Sequence, residues 1–296
     1  MLVLIHDSMG GNLPKPPYPP DVEITTDRAR LAEADVVVFH IPDWRQDQMI
    51  ARSEWDWRFP FEKRPGQRWV GWSMECDEHY PWSRNIRFMR HFDLTMTYRL
   101  TSDAPVTYVN PNVMVEAFRT APLAKHEPAL AAAFVSSRFD RSGRQAYLQE
   151  LARHMAIDSY GAFMRNRTLP DDRGVPSKLA AIAHYRFTIA FENARSPDYV
   201  TEKFFEPLQA GSVPVYLGAP NIADFAPGEN CFINAADFPE PAELAAHLKT
   251  LAADEAAYSA HFAWRQEAFR PSFRTLLDLE SEPWLHRMCR ALRTLR

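Results

Sequence analysis

One segment of the sequence combines charged, amide and hydroxyl side chains with a clear structural pattern. The apolar run Phe187–Phe191 predicts a buried strand, and a polar loop then leads into a helix that begins near Tyr199. Lys203 falls in the first turn of that helix, where a cation alone opposes the helix dipole. A bound anion reverses the sign, because backbone N–H groups and Lys203 can share a phosphate. Spacing alone supports equally well a solvated lysine that is paired with Glu202 or Glu206.

Several well-known catalytic motifs are absent from the chain. It contains no GxSxG, Walker A, GxGxxG, HExxH or CxxC pattern, and its histidines show no zinc spacing. It also has no Asp-x-Asp pair, the nearest approximations being Glu75-Cys76-Asp77 and Glu54-Trp55-Asp56. These absences disfavour α/β-hydrolases, P-loop proteins and zinc enzymes, and they leave no readable dinucleotide fingerprint.

Strand-like and helix-like runs alternate along the chain, which indicates an α/β layer architecture. A proline-rich stretch, Ala104–Pro128, interrupts the alternation and predicts a linker. We therefore expect an α/β fold of two Rossmann-like domains facing a central cleft, with ligands at the carboxyl ends of the strands. The predicted domains are residues 1–122 and 123–275, followed by a helical tail at 276–296. The runs are Leu2–Ile5, Asp27–Ala34, Asp35–Phe39, Arg68–Trp72, Leu94–Tyr98, Ala131–Ser136, Gly143–His154, Phe187–Phe191, Tyr199–Ala210 and Val213–Leu217.

Composition restricts the class of protein further. A chain of 296 residues is long enough for about two domains of ~150 residues. The formal net charge of -4 argues against a general electrostatic grip on nucleic acid. No apolar run is long enough for a membrane span, and three scattered cysteines fit a reducing compartment. An apolar stripe in Leu285–Leu295 favours a helix packed on the body over peripheral membrane contact.

The segment FTIAFENARSPDYVTEK, with the following helix and the run AGSVPVYLG, resembles the donor-binding region of the α-1,3/1,4-fucosyltransferases, glycosyltransferase family 10. Other stretches resemble that family in the same order: ADVVVFH, WSME, FDLTMTYR, SYG and FAWR. The resemblance runs from about Glu23 to Leu276. Because the anchor and stem of animal members and the heptad repeats of some bacterial ones are not recognisable, a bacterial-type member is expected. Two positions depart from the family pattern: Pro207 lies inside the predicted helix, and Ser137-Arg138-Phe139 replaces asparagines.

The resemblance implies a GT-B fold and an inverting transfer of L-fucose from GDP-fucose to a hydroxyl of an N-acetylglucosamine-containing glycan, with an α-1,3 linkage expected. Glu75 matches the acceptor-side glutamate and is our candidate general base, with Glu78 as a rival. No metal is expected to be required, although a divalent ion can stimulate. Positive charge on the departing GDP must then come from side chains and helix ends. By the resemblance, Arg144 and Lys203 bind the diphosphate, and Asn193, Tyr199 and Glu202 line the donor pocket. The neighbouring Arg138 and Arg141 leave the choice of arginine open.

Two alternatives remain open at this stage. One keeps the fold and mechanism with another GDP-sugar, and the other is a catalytically silent nucleotide- or sugar-binding protein. The acceptor is expected to be N-acetyllactosamine-like or lipopolysaccharide-type. Trp44, Trp55, Trp57, Trp69, Trp72 and Trp82 are candidates for stacking on its sugar rings, although each one taken singly is more readily explained as core. Without a recognisable anchor or stem, a cytoplasmic protein is expected, with peripheral contact of the tail with the inner membrane as the alternative.

Overall fold

The computed structural model describes residues 1–8, 11, 13–44, 50–51, 57–58 and 60–295, with only the backbone of 50–51 and 57–58. The chain divides into two units, residues 1–107 with 282–296 and residues 108–281. Of the tryptophans singled out from the sequence, Trp55 and the side chain of Trp57 lie outside the described part.

A five-stranded parallel sheet forms the centre of the first unit. Its order is β2-β1-β3-β6-β7, and the buried β-branched run Val36-Val37-Val38 lies in the middle strand. Two short strands form a separate antiparallel pair, β4-β5. In chain order the elements are β1 (Leu2–Ile5), β2 (Glu23–Thr25), β3 (Val36–His40), β4 (Ile50–Ala51), β5 (Trp57–Arg58), β6 (Arg68–Ser73), α1 (Ile86–Met89) and β7 (Leu94–Thr97).

The second unit contains a second five-stranded parallel sheet, in the order β12-β11-β10-β8-β9. Its middle strand, FTIAF, is fully buried, as a strand covered on both faces by helices must be. Its elements are α2 (Pro111–Ala117), β8 (Ala131–Ala133), α3 (Arg144–His154), β9 (Ile157–Ser159), α4 (Val175–Ile182), β10 (Phe187–Phe191), α5 (Glu202–Ala210), β11 (Val213–Leu217), β12 (Ile233–Asn234), α6 (Pro241–Ala253), α7 (Glu255–Ala260) and α8 (Pro271–Ser281).

The two sheets share one topology. In each sheet the strand that comes first in sequence lies between the second and the third, and the fourth and fifth follow the third outwards. The chain therefore reverses its direction across the sheet between β1 and β3, and again between β8 and β10. Such switch points leave a crevice at the carboxyl ends of the two strands, where ligands bind in open α/β sheets. The prediction of two Rossmann-like α/β units is confirmed.

The last helix, α9 (Trp284–Thr294), belongs to the first unit. Leu285, Met288 and Cys289 pack in the same core cluster as strands β1, β3 and β6, and the Trp284 ring stacks on Trp72 at 5.5 Å. The apolar stripe is thus covered by the protein itself, as the favoured prediction had it, which leaves that stripe no surface for membrane contact. No helix within the described ranges has the length and apolarity needed to span a membrane.

The predicted linker differs from the structure. Within Ala104–Pro128 the chain forms α2, whose Asn110 caps the helix by accepting a hydrogen bond from the Asn112 amide at 3.2 Å. The next residue after the helix, Phe118, packs on Phe273 at 5.9 Å, so this stretch belongs to the second unit. The structure accordingly divides the chain after residue 107, where the sequence predicted 122, and places 282–296 with the first unit, where the sequence predicted a separate tail.

Candidate functional sites

At the switch point of the second sheet, two loops are joined by hydrogen bonds. The loop after β8 donates two amides, from Arg141 at 2.7 Å and from Ser142 at 3.1 Å, to the backbone carbonyl of Asn193 in the loop after β10. The Ser142 hydroxyl also donates to the carbonyl of Glu192 at 2.6 Å. These bonds hold together the two loops that form the crevice, so the residues on both loops keep a fixed geometry.

Arg144, the first residue of α3, is buried beneath these loops at 1% exposure. Its guanidinium donates to the carbonyls of Phe191 (3.1 Å), Ser137 (3.1 Å) and Phe139 (3.2 Å). Burial lowers the pKa of Arg144, while nearby carboxylates act in the opposite direction. Arg144, which the sequence predicted to bind the diphosphate, therefore directs its guanidinium to backbone carbonyl oxygens in this conformation. The side chains at 137–139 take no part in these bonds, because Arg144 donates to the main-chain carbonyls of Ser137 and Phe139.

The N-terminus of α5 gathers the charged residues of the TEK motif. Thr201 caps the helix, and its hydroxyl and amide donate to the carboxylate of Glu192 at 2.9 and 2.7 Å. The Lys203 ammonium lies 2.8 Å from Glu202 Oε1, 3.1 Å from the Thr201 hydroxyl and 3.6 Å from Glu192 Oε2. The helix continues through Pro207 to its left-handed cap at Gly211, so the proline does not end it.

Burial and charge act against each other in this group. Burial raises the pKa of Glu192, which is completely inaccessible, although the Lys203 charge counteracts the effect. Burial also acts to lower the pKa of Lys203, but the two glutamates outweigh it and the pKa is raised. Lys203 therefore stays cationic, and its side chain retains 21% exposure toward solvent. A partly exposed ammonium in the first turn of a helix is suited to contact phosphate oxygens.

Two buried polar atoms at this switch point have no hydrogen-bond partner among the residues that the structure describes. They are Asn193 Oδ1, on a residue with 6% exposure, and Arg144 Nε. Buried polar groups are almost always satisfied in native proteins, and each exception needs an explanation. A polar group bound at the crevice would satisfy them, and the place of Asn193 in the donor pocket stays a prediction.

Two positions that the sequence reasoning missed shape this loop. Asp198 adopts a positive φ of 66°, and it exchanges two 2.9 Å hydrogen bonds with the side chain of Asn221. A Cβ on Gly218 would lie 2.3 Å from the Tyr216 hydroxyl and 2.6 Å from Glu192 Cγ, so only glycine fits there. Gly218 thus leaves the space that the Glu192 and Tyr216 side chains occupy. The only sequence clue was a glycine directly after a strand, which is typical of close backbone approach. Tyr199, the remaining predicted donor residue, is buried in the same loop.

Three further arginines lie exposed on these loops: Arg138 and Arg141 after β8, and Arg195 after β10. None of the three side chains has an ion-pair partner within the residues that the structure describes. Unpaired guanidinium groups are suited to bidentate contact with phosphate oxygens. They supply positive charge at the surface of the site, in contrast to the enclosed Arg144.

The acidic cluster of the first unit follows β6. Asp77 is tied to Arg84 at 2.8 Å, Arg99 at 2.6 Å and the Tyr98 hydroxyl at 2.9 Å. Burial alone would raise the pKa of Asp77, but these partners outweigh it and lower the pKa to about 2. Such a carboxylate is a poor proton acceptor at neutral pH.

Glu75 differs from its acidic neighbours. Its half-buried side chain has no cationic partner among the described residues, whereas Glu78 lies 3.6 Å from Arg84. The backbone around Glu75 is fixed by Ser73, whose hydroxyl accepts from the Glu75 amide at 3.2 Å and donates to its carbonyl at 3.1 Å. Of the three carboxylates in this cluster, Glu75 is therefore the one left available to accept a proton, and Glu78 becomes the weaker candidate.

No group of three or more His, Cys, Asp or Glu side chains is arranged to hold a metal ion within the described ranges. Most of the described tryptophans of the first unit serve the core: Trp44, Trp69 and Trp72 are at most 5% exposed, and Trp82 is partly buried against the same cluster. These four tryptophans therefore expose little ring surface on which a sugar could stack.

Comparison with known proteins gives matches over most of the chain. Residues 124–296 match the family model "Glycosyltransferase family 10 (fucosyltransferase) C-term", and residues 20–109 match "Fucosyltransferase, N-terminal". A putative fucosyltransferase-like protein of Arabidopsis thaliana is 38% identical over 79% of this chain and 44% of its own length. Alpha-(1,3)-fucosyltransferase B of Drosophila melanogaster is 34% identical over 69% of this chain and 50% of its own length. The chain thus spans half or less of these relatives, which are both eukaryotic.

Solved structures agree on the fold. A crystal structure of an α1,3-fucosyltransferase has a TM-score of 0.62 at 16% identity, covering 92% of this chain and 81% of that one. A structure described as α1,3-fucosyltransferase with GDP-fucose gives 0.54 at 16% identity, covering 84% and 77%. Because the sequence identity is low, these matches show the fold alone, which is GT-B.

Proposed function

The chain belongs to glycosyltransferase family 10, the fucosyltransferases, and we propose that it transfers L-fucose from GDP-fucose to a hydroxyl of an N-acetylglucosamine-containing glycan, in α-1,3 linkage. The observation that carries the proposal is Lys203, a partly exposed ammonium in the first turn of α5, at the switch point of the second sheet. The relatives and the neighbour crystallised with GDP-fucose support the choice of donor.

The proposed reaction is a direct displacement. The acceptor oxygen attacks the anomeric carbon of fucose, and the bond from that carbon to the β-phosphate oxygen breaks, so that GDP leaves with the electron pair. Glu75 takes the proton from the attacking hydroxyl. The carboxylate is suited to this role because, unlike Asp77, no cation among the described residues neutralises it.

Charge builds up on the departing diphosphate, and fixed cations lower the energy of that state. Lys203 is proposed to contact the phosphate oxygens together with the N–H groups of α5. Arg144 is proposed to contribute positive charge from its buried position beneath the loops after β8 and β10. It also holds these loops, since its guanidinium donates to three backbone carbonyls. Asn193, Tyr199 and Glu202 are proposed to line the donor pocket, Glu202 by accepting from sugar hydroxyls.

No metal is proposed as a requirement, because Lys203, Arg144 and the exposed arginines supply the positive charge that a metal otherwise provides. The three cysteines are free and buried, which supports a reducing, cytoplasmic location. A bacterial-type origin has no support among the plant and insect relatives, and it is not part of the proposal.

The proposal is tested by incubating the purified protein with GDP-fucose and N-acetyllactosamine in EDTA and following GDP release. Acceptor-dependent release that Glu75→Gln and Lys203→Met both abolish supports the mechanism. GDP-mannose in place of GDP-fucose tests the donor sugar. Tight GDP binding without release from any donor and glycan combination would favour a silent binding protein, and absence of GDP binding would refute the donor site.

A further inference from the structure

A cavity lies at the amino ends of β10 and β11, the edge of the second sheet opposite the crevice. Its volume is about 620 Å³, which falls within the range of small-ligand sites. The proposed transfer reaction makes no use of it. Its lining combines charged, aromatic and apolar side chains, which include Leu123, Lys125, Arg186, Glu255, Tyr258 and Phe262.

Lys125 brings the first cation to the cavity. Its ammonium donates to the backbone carbonyls of Ala183 and Gly211, both at 2.6 Å. These two residues follow the last turns of α4 and α5, so the lysine stabilises the C-termini of both helices. An ammonium has three donor hydrogens, and one therefore remains for a further acceptor. No carboxylate in the described part of the chain pairs with Lys125.

Arg186 brings the second cation. Its guanidinium lies 4.7 Å above the ring of Tyr258, and the Tyr258 hydroxyl donates to its backbone carbonyl at 2.8 Å. Nη2 lies 2.9 Å from the carboxylate of Glu255, which is 71% exposed. Nη1 is buried and has no hydrogen-bond partner among the described residues. Because an ion pair with such an exposed carboxylate is weak, another anion can compete for the guanidinium.

Positive charge exceeds negative charge around this cavity. Burial lowers the pKa of Lys125 to about 8, and the charges of Arg265 and Arg186 act in the same direction. Arg265 is buried, and its hydrogen bonds within the described ranges go to backbone carbonyls. Three cations therefore stand against the single exposed carboxylate of Glu255. A bound anion would reduce the repulsion between Lys125 and Arg186.

The charge and size of the cavity select the kind of anion. A phosphomonoester carries a charge of about −1.5 to −2 at pH 7, which matches two cations better than a single carboxylate does. A volume of about 620 Å³ leaves space for an organic body beside the phosphate. Leu123, which is 56% exposed, and the partly buried Phe262 supply apolar surface for that body.

We propose that this cavity binds a phosphomonoester with an apolar or aromatic body, and that Lys125 and Arg186 hold its phosphate. The phosphate accepts from the third ammonium hydrogen of Lys125 and from the guanidinium of Arg186, while Glu255 is displaced into solvent. Leu123 and Phe262 contact the body of the ligand. The site is separate from the donor crevice, because the two lie at opposite edges of the sheet.

Calorimetric titration of phenyl phosphate into GDP-saturated protein tests the proposal, since GDP keeps the donor crevice filled. Phenyl phosphate should bind more tightly than inorganic phosphate. Glu255→Gln removes the competing carboxylate and should raise the affinity at least about threefold, whereas Glu243→Gln on α6 should leave it unchanged. Arg186→Gln should lower the affinity at least about tenfold. A purely structural role of Glu255 would not produce tighter binding on its removal.

Two further measurements define the body of the ligand. Leu123→Ala should reduce the preference for phenyl phosphate over inorganic phosphate and leave the affinity for inorganic phosphate unchanged. A lipid headgroup and a soluble ester share this phosphate chemistry, and vesicles of phosphatidylcholine with phosphatidic acid distinguish them. Co-sedimentation that Glu255→Gln increases would identify a lipid ligand, and phenyl phosphate binding without co-sedimentation would identify a soluble one.

Three results would overturn the proposal. The first is the absence of binding of either phosphate at about 10 mM, a concentration that reveals affinities as weak as about 1 mM. The second is binding that Arg186→Gln and Glu255→Gln both leave unchanged. The third is binding that Lys203→Met abolishes and Arg186→Gln retains, which would place the anion in the donor crevice. If the wild type binds no GDP, the proposed donor fails, and the same titration without GDP still tests this cavity.

Discussion

The two sheets have the same strand order, but the charged groups at their carboxyl edges differ in whether they are paired. At the carboxyl edge of the second sheet, Lys203 is surrounded by Glu192, Glu202 and the Thr201 hydroxyl within 3.6 Å. At the edge of the first sheet, Glu75 has no cationic partner in the described part of the molecule. The first arrangement keeps a charge in place, and the second leaves a carboxylate without a paired cation among the described residues.

Within the first sheet the contrast recurs between neighbours. Asp77 has two arginines and a tyrosine hydroxyl, and its pKa is lowered to about 2. A residue held in this way stabilises the fold, whereas an unpaired neighbour two positions earlier is available for chemistry. The comparison teaches that, in this protein, the acid with the most partners is structural and the acid with the fewest is the catalytic candidate.

The largest effect is expected from Glu75→Gln. Removing a general base should lower kcat about 10²- to 10⁴-fold, because general acid–base catalysis contributes about that much. GDP release in the presence of acceptor measures the loss. The matched control is Glu78→Gln, in the same acidic cluster, which should keep kcat within about threefold of the wild type. Equal losses in both variants would contradict the distinction between the two glutamates.

The second largest effect is expected from Lys203→Met. The loss of a fixed cation at the leaving group should reduce kcat about 10²- to 10³-fold, comparable to the loss of one oxyanion-stabilising donor. Steady-state kinetics with varied GDP-fucose measures it, and Lys249→Met on the exposed face of α6 serves as the control. Wild-type kinetics in Lys203→Met would remove the cation from the mechanism.

Gly218→Ala tests how tightly the residues pack at the carboxyl edge of the second sheet. The added methyl group meets Tyr216 and Glu192, so either side chain must shift, at a cost of about 1–3 kcal/mol. We expect GDP affinity to fall about tenfold while the far-UV circular dichroism spectrum is retained. Unchanged affinity would show that the position of Glu192 does not matter to the donor.

Asp77→Asn should affect stability rather than chemistry. The pKa of Asp77 is lowered from its ordinary 3.8 to about 2 in the folded chain, so its stabilisation is fully present above pH 4. That stabilisation is lost as the pH falls from about 4 to about 2. The variant should therefore be about 2 kcal/mol less stable at pH 7, and the difference should shrink below pH 4. Urea unfolding at several pH values measures it, and a difference that is independent of pH would contradict the assignment.

The smallest effect is expected from Thr201→Val. It removes the cap of α5 and a hydrogen bond to Glu192, and loss of such a cap costs about 0.5–2 kcal/mol. Thr201→Ser keeps the hydroxyl and should behave like the wild type in thermal unfolding. Valine keeps the γ-methyl group of threonine and serine keeps the hydroxyl, so unchanged stability in Thr201→Val would contradict the role assigned to the hydroxyl.

Local sequence pattern predicted the strands that bear the sites. Phe187–Phe191 and Val213–Leu217 have the predicted bounds, because continuous apolar runs flanked by polar turns are typical of buried parallel strands. Helix α2 was missed, since its prolines were interpreted as breakers although Pro111 occupies the first helical position, where proline is favoured. The common strand order of the sheets was not readable either, because it is a relation between distant strands.

The sequence predicted the proximity of site residues only where they lie within one motif. Lys203, Glu202 and Asn193 lie in a single segment, so their proximity follows from the local chain. The burial of Arg144 and the close approach of Gly218 depend on contacts between separate loops. Such contacts are tertiary, and residue type alone gives no sign of them. Similarly, the unpaired state of Glu75 emerges only once the partners of Asp77 are known.

We assign the fixed cation to the edge of the second sheet and proton transfer to the edge of the first, and GDP affinity distinguishes the two roles. Isothermal titration of GDP into the wild type, Glu75→Gln and Lys203→Met separates the two. We expect wild-type affinity within about twofold for Glu75→Gln and a loss of at least tenfold for Lys203→Met. Equal weakening in both variants, or wild-type affinity in Lys203→Met, would contradict it.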